Sequence, residues 1–203
     1  MPGEGGPARV RLGDVGELGL IRRIRESAGA RVARVRTGIG DDAAVLEPAP
    51  GALLLATTDL VIEHVHFRRA TSSPADIGWK ALAVNLSDIA AMGGVPRWAL
   101  VGLAVPEGTD VDDVDRFYAG MREAGAPHGI AVVGGDTCAA PDGWVAAVTV
   151  LGEHVGSPRL RSAARPATWS RSRAAWAGPR PACGFSRPSP PWAPRCRPRW
   201  PAT

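Results

Sequence analysis

The sequence predicts an α/β or α+β domain followed by a disordered C-terminal tail, and three observations carry that expectation. Short apolar runs alternate with segments of helical period through the first 157 residues, without a clean internal repeat. The chain is 45% hydrophobic and 22% charged, the balance of an ordinary globular domain. The charge is also unevenly placed. The formal net charge of the 203 residues is +4, yet residues 158–203 hold ten Arg and no Lys, Asp or Glu. That leaves 14 basic and 20 acidic side chains in the first 157, a net of −6.

The elements follow in order. Residues 1–12 read as a flexible, Gly/Pro-rich start, and the folded domain is expected over 13–157. Leu18, Ile21, Ile24 and Ala28 recur at helical spacing, with Gly29 as the stop. Residues 43–46 and 53–58 are apolar runs separated by a Pro-Ala-Pro-Gly turn at 48–51, the pattern of two strands. Ser73 as N-cap and Pro74 as first helical residue open a helix that runs to about Met92 and stops at Gly93-Gly94. Residues 98–105 read as a strand. Thr109 is then expected to cap a helix whose apolar face is Val111, Val114, Phe117 and Met121. Strands over 130–133 and 144–151 complete the set.

Residues 158–203 differ in kind. Ten prolines break helices and block central strands, and the segment has too little apolar surface to offset its ordering entropy. It can be an Arg/Trp segment for nucleic acid, a linker, or a coding region read out of frame. The last has a paper test: GC-rich codons for residues 167–177, shifted by one base, yield Gly-Asp-Val-Val-Ala-Val-Thr-Gly-Gly-Leu-Gly, a turn, a buried strand pattern and a glycine loop. Nucleic acid is the least favoured partner. Three cysteines fit neither a disulfide framework nor a zinc knuckle, and no run approaches the length of a membrane span. A cytoplasmic protein without membrane contact is expected.

The positions of the acids carry the chemistry. Gly38-Ile-Gly-Asp-Asp42 sets two aspartates after glycines and before a strand; Thr57-Thr58-Asp59 ends another. Asn85 and Asp88 share one helix face with Ala81, and Gly134-Gly135-Asp136-Thr137 ends a third strand. Each pattern alone also fits a plain turn or a solvated face. Together they suit Mg²⁺, which takes hard oxygen ligands from one or two carboxylates per ion and leaves the remainder to water and phosphate. No phosphate-loop motif is present, and Lys80 is the only lysine, so a nucleotide would be held by metal, glycine backbone and arginine. His64 and His66, two apart on an expected strand, would share a face as substrate contacts or structural residues, with zinc disfavoured. Cys138 reads as a buried, inert thiol.

With these residues placed, the chain resembles the thiamine-monophosphate kinase family. The matching stretches are Gly16-Glu-Leu-Gly-Leu-Ile21, Gly38-Ile-Gly-Asp-Asp-Ala-Ala-Val-Leu46, Thr57-Thr-Asp-Leu-Val61 with His66-Phe67, the run from Lys80 to Pro96, Gly134-Gly-Asp-Thr137 and Arg161-Ser162. The resemblance implies transfer of the ATP γ-phosphate to thiamine monophosphate, with Mg²⁺ as cofactor and ATP as co-substrate. It implies Asp42, Thr57, Thr58, Asp59, Asp88 and Asp136 as metal ligands. Gly135, Asp136 and Arg161 would contact ATP, and His66 the thiamine phosphate. No catalytic nucleophile is implied. The implied fold is the N-terminal domain of the aminoimidazole ribonucleotide synthetase superfamily, a dimer-forming β-barrel flanked by helices. The family's second half should begin after Pro166, and residues 167–203 do not match it, so a weakly active or inactive chain is expected. A related ATP-dependent synthetase and a non-catalytic nucleotide-binding dimer module are the alternatives.

Overall fold

The computed structural model describes residues 10–27 and 34–163. The chain divides into two compact units, Met1–Leu160 and Arg161–Thr203. Of the second, only a single 3₁₀ turn, Arg161–Ala163, is described; the tail predicted to be disordered or out of frame otherwise lies outside the described residues.

In the first unit the order is α1 (Leu12–Ser27), β1 (Val35–Thr37), β2 (Val45–Leu46), β3 (Leu53–Ile62), α2 (Pro74–Ala91), β4 (Val95–Val105), α3 (Val111–Gly125), β5 (Ala131–Ala139) and β6 (Val145–His154). The mixed α and β content agrees with the predicted class. Helix α2 starts as its sequence dictates. The Ser73 hydroxyl accepts from the Asp76 N–H, and the Asp76 carboxylate accepts from the Ser73 N–H, a reciprocal cap with Pro74 in the first turn. It ends at Met92, where Gly93 takes φ +77°.

Helix α3 is capped by Asp110, whose side chain accepts from the Asp112 N–H, and not by Thr109 as expected. Thr109 is buried instead, and the shorter reach of Asp110 to the helix's first turn supplies the cap. Helix α1 also departs from expectation. A kink at Gly16 (φ +68°) turns the helix so that Leu20 and Ile24 are buried while Leu18 is 82% exposed. Gly29, its predicted stop, lies outside the described residues.

Helices α2 and α3 cross at two glycines. A Cβ on Gly78 would fall 1.9 Å from the Phe117 carbonyl oxygen, and one on Gly120 would fall 1.9 Å from that of Ala75. The absence of side chains there lets the backbones touch, so both helices can lay their apolar faces on one sheet. That sheet has four strands in the order β3-β6-β4-β5. Its neighbours are antiparallel except β4 and β5, which run parallel because α3 carries the chain back between them. Ile77, Leu82 and Ile89 of α2 and Val114, Phe117 and Met121 of α3 form the main core with Val101, Leu103, Val148 and Val150 of the sheet. On the other face β1 and β2 cover only one end, over Trp98, Ala131 and Val133. Leu54 and Leu60 of β3 remain more than half exposed.

Several sequence boundaries move: β1 has no counterpart among the expected strands, β4 starts three residues before Trp98, and β6 runs three beyond Leu151. The strand expected over 43–46 shortens to β2, β3 runs four residues beyond Thr58, and β5 runs six beyond Val133. Thr57-Thr58-Asp59 and Gly134-Gly135-Asp136-Thr137 therefore lie within strands and do not end them. Polar residues read as strand ends because a central strand excludes them; β3 and β5 are edge strands, with one side open to solvent. Among the described residues the sheet of a single chain is open at its β3 and β5 edges. No helix among the described residues is long and apolar enough to cross a membrane.

Candidate functional site

One group of oxygen donors sits at the β3 edge. The Thr57 hydroxyl donates to an Asp88 carboxylate oxygen at 3.0 Å, joining the strand to the last turn of α2. Asp59, two residues along the strand, shares the face of Thr57. Thr58 turns to the opposite face: its hydroxyl donates to the Val148 carbonyl at 3.3 Å and accepts from the Thr149 hydroxyl at 3.0 Å. One turn before Asp88, Asn85 is fully buried. Its Nδ2 donates to the Ala81 carbonyl at 3.1 Å, while its Oδ1 has no partner among the described residues.

After β3 the chain makes a tight turn, so His64 and His66 do not share a strand face as expected. His64 sits at φ +65°, and Glu63 pairs with Phe67 across the turn. The Glu63 carboxylate accepts the Trp144 N–H, and the buried Phe67 ring anchors the exit. His66 is exposed. Its Nδ1 accepts the Ile62 N–H at 3.1 Å, its own N–H donates to the Ile62 carbonyl, and its carbonyl accepts from Lys80 Nζ at 2.5 Å.

A second group lies at the β5 edge. Gly135 takes φ +150°, and a Cβ there would fall 1.9 Å from the Val101 carbonyl oxygen, so only glycine fits against β4. Asp136 follows, exposed, and then Thr137, which hydrogen-bonds Tyr118 of α3. Burial pushes the Tyr118 phenol upward, against the lowering effect of that bond. The loop carrying Asp41 and Asp42 joins β1 to β2 beside this edge. A Cβ on Gly38 would lie 3.9 Å from the Val133 carbonyl oxygen, and Gly40 lies under the Arg25 guanidinium at φ +119°. The Asp41 carboxylate accepts the Asp42 N–H at 3.0 Å.

Glu153, which sequence reasoning passed over, anchors that loop. Buried on β6, it accepts from Arg34 at 3.1 Å, from Arg97 at 2.9 Å and from the Ala49 N–H at 2.6 Å. It thereby grips both ends of the β1–β2 segment. Burial alone would raise its pKa; the Ala49 N–H, the Arg97 bond and the two guanidinium charges outweigh burial and hold it below the ordinary value. Nothing in a lone Glu at a strand end marks this role. Cys138, expected to be buried, is exposed, because β5 is the outermost strand.

Asp59, Val148, Val101 and Gly135 stand in one row across the sheet, so β6 and β4 separate the two groups. At ~4.8 Å per strand the edges are roughly 14 Å apart. Among the described residues no group of three or more His, Cys, Asp or Glu is close enough to hold a metal ion. The donors are hard oxygens of the kind Mg²⁺ prefers, but one chain gathers them as two half-sets. Arg161 belongs to the second unit.

Residues 40–154 match the family described as AIR synthase related protein, N-terminal domain. The chain is 47% identical over 133 residues to the thiamine-monophosphate kinase of Bacillus subtilis (strain 168), across 65% of this chain and 41% of that protein. It superposes on the crystal structure of thiamine-monophosphate kinase from Stenotrophomonas maltophilia K279a with a TM-score of 0.58 and 41% identity, covering 67% of this chain and 42% of that one. Hydrogenase maturation protein HypE in complex with ATP aligns with a TM-score of 0.53 and 29% identity, over 62% of this chain and 37% of that one. The chain thus spans about two fifths of the length of the relatives it matches.

Proposed function

Because the chain belongs to the AIR synthase related family through its N-terminal domain, we propose that it is the Mg²⁺- and ATP-binding portion of a cytoplasmic thiamine-monophosphate kinase. The reaction is transfer of the ATP γ-phosphate to thiamine monophosphate, giving thiamine diphosphate. The observation that carries this reading is the pair of oxygen-rich half-sets on the two open edges of one sheet, in a chain 47% identical to a kinase of that name.

A second copy is the natural way to unite them. Pairing β3 of one protomer with β5 of its partner would cap both free edges, close the two sheets into a barrel and bring the two half-sets together. Asp42 and Asp136 from one protomer, with Thr57, Asp59 and Asp88 from the other, would then hold Mg²⁺. Thr58, turned to the opposite face, contributes by fixing β3 against β6. Bound Mg²⁺ supplies charge neutralisation along the polyphosphate.

The chain's own residues do the rest. Gly135, whose missing Cβ lets β5 press against β4, sets the position of the edge backbone that would face phosphate oxygens. His66 donates a hydrogen bond to the thiamine phosphate. No enzyme nucleophile is required, because the acceptor phosphate oxygen attacks directly. With two fifths of its relatives' length matched, this chain is proposed to bind nucleotide while turning it over weakly or not at all. The related reading, a nucleotide-binding dimer module, draws on the ATP-bound HypE of the same fold.

Calorimetry with a non-hydrolysable ATP analogue, with and without Mg²⁺, paired with a coupled assay on thiamine monophosphate, tests the proposal. Mg²⁺-dependent binding with turnover far below that of an intact kinase is expected. Absence of nucleotide binding in Mg²⁺ would overturn it.

A further inference from the structure

The turn that follows β3 fixes more than the position of His66. A backbone N–H can only donate, so the bond from Ile62 N to His66 Nδ1 requires Nδ1 to offer its lone pair. The neutral ring must then carry its proton on Nε2. The reverse bond, from the His66 N–H to the Ile62 carbonyl at 2.8 Å, closes a small ring of two hydrogen bonds around one residue pair. His66 is exposed, and Nε2–H, the ring's remaining donor, is not used by the turn's two bonds.

His64 sits in the left-handed region at φ +65°, where a non-glycine residue is held by its surroundings. The hold on the His66 side comes from α2, whose Lys80 ammonium donates to the His66 carbonyl at 2.5 Å. A short bond from a charged donor is among the stronger restraints on an exposed turn. Lys80 is the only lysine of the chain.

We propose that Lys80 is a positioning residue that locks the turn so that His66 presents a single tautomer, an Nε2–H donor for a phosphate-monoester oxygen, and does not act as a proton acceptor. The phosphate half of this statement rests on the function proposed above; the tautomer half does not.

The full chain, labelled with ¹⁵N-histidine, is suited to long-range ¹H–¹⁵N spectra at a pH where the rings are neutral, with His66→Gln assigning the resonance. The wild-type ring is expected to show the Nε2–H tautomer alone. Lys80→Met is expected to give a mixture of tautomers with unchanged far-UV circular dichroism, and Lys80→Arg, which keeps a donor, to restore the single form. A wild-type ring protonated on Nδ1 or evenly mixed overturns the lock, as does a Lys80→Met spectrum identical to the wild type. Titration with thiamine monophosphate then separates the two halves. A selective shift at Nε2 of His66, lost in Lys80→Met, supports the donor role. A locked tautomer indifferent to thiamine monophosphate overturns that role and leaves the lock standing.

Discussion

The two edges of the sheet are built differently. At the β3 edge the candidate groups are held by hydrogen bonds that involve a side chain: Thr57 with Asp88, and His66 with the Ile62 backbone and Lys80. At the β5 edge they are held by backbone shape: Gly135 pressed on Val101, and a glycine loop pinned from a distance by Glu153. Side-chain anchors tolerate conservative replacement, whereas a backbone with no room for a Cβ does not. The two edges should therefore answer mutation with different severity.

The largest effect is expected at the β5 edge. Gly135→Ala sets a methyl group 1.9 Å from a carbonyl oxygen at a strained φ, and should lower stability by about 3 kcal/mol or more in urea unfolding. Gly102→Ala, one strand inward, meets nothing closer than 3.5 Å and serves as the control, with a change within about 1 kcal/mol. If both variants unfolded at the same denaturant concentration, the contrast between backbone-held and side-chain-held edges would be lost.

Next in size is the anchor of the loop. Glu153→Ala removes a buried carboxylate whose two arginine partners are partly exposed, so a loss of about 2 kcal/mol is expected. The sign of its pH dependence follows from the lowered pKa. Its contribution is present above the ordinary glutamate range and fades as pH falls through the depressed folded value. The wild-type advantage over Glu153→Ala should therefore shrink as pH falls below the ordinary glutamate range, as thermal unfolding at those pH values would show. The smallest effect belongs to the β3 edge: Thr57→Val deletes one partly buried hydrogen bond and should destabilise by about 1 kcal/mol.

How much of this could be read in the sequence divides along the same line. Ser73-Pro74 and Gly93-Gly94 located α2 to within a residue, because caps and stops are local chemistry. The class of the domain and the order of its strands' apolar runs were equally legible. The extents of β3 and β5 were not, since Thr-Thr-Asp and Gly-Gly-Asp-Thr look like strand ends unless the strand is known to be an edge. Edge status is a property of topology. Glu153 was invisible for a similar reason, its partners Arg34, Ala49 and Arg97 being distant in sequence. The aspartates stood out as a set, but their division between two edges emerges only when the strand order is known.

That division makes the proposed dimer testable through the acids themselves. Take two chains, Asp59→Asn with Asp88→Asn in one and Asp136→Asn in the other, and measure Mg²⁺-dependent binding of an ATP analogue for each alone and for the pair refolded together. If the half-sets meet across protomers, each variant alone fails, and the mixture regains about one quarter of the wild-type sites, since about half of the pairs are mixed and each of those carries one intact site of two. If the mixture stays as inert as its parts, the half-sets do not meet across a pair of chains.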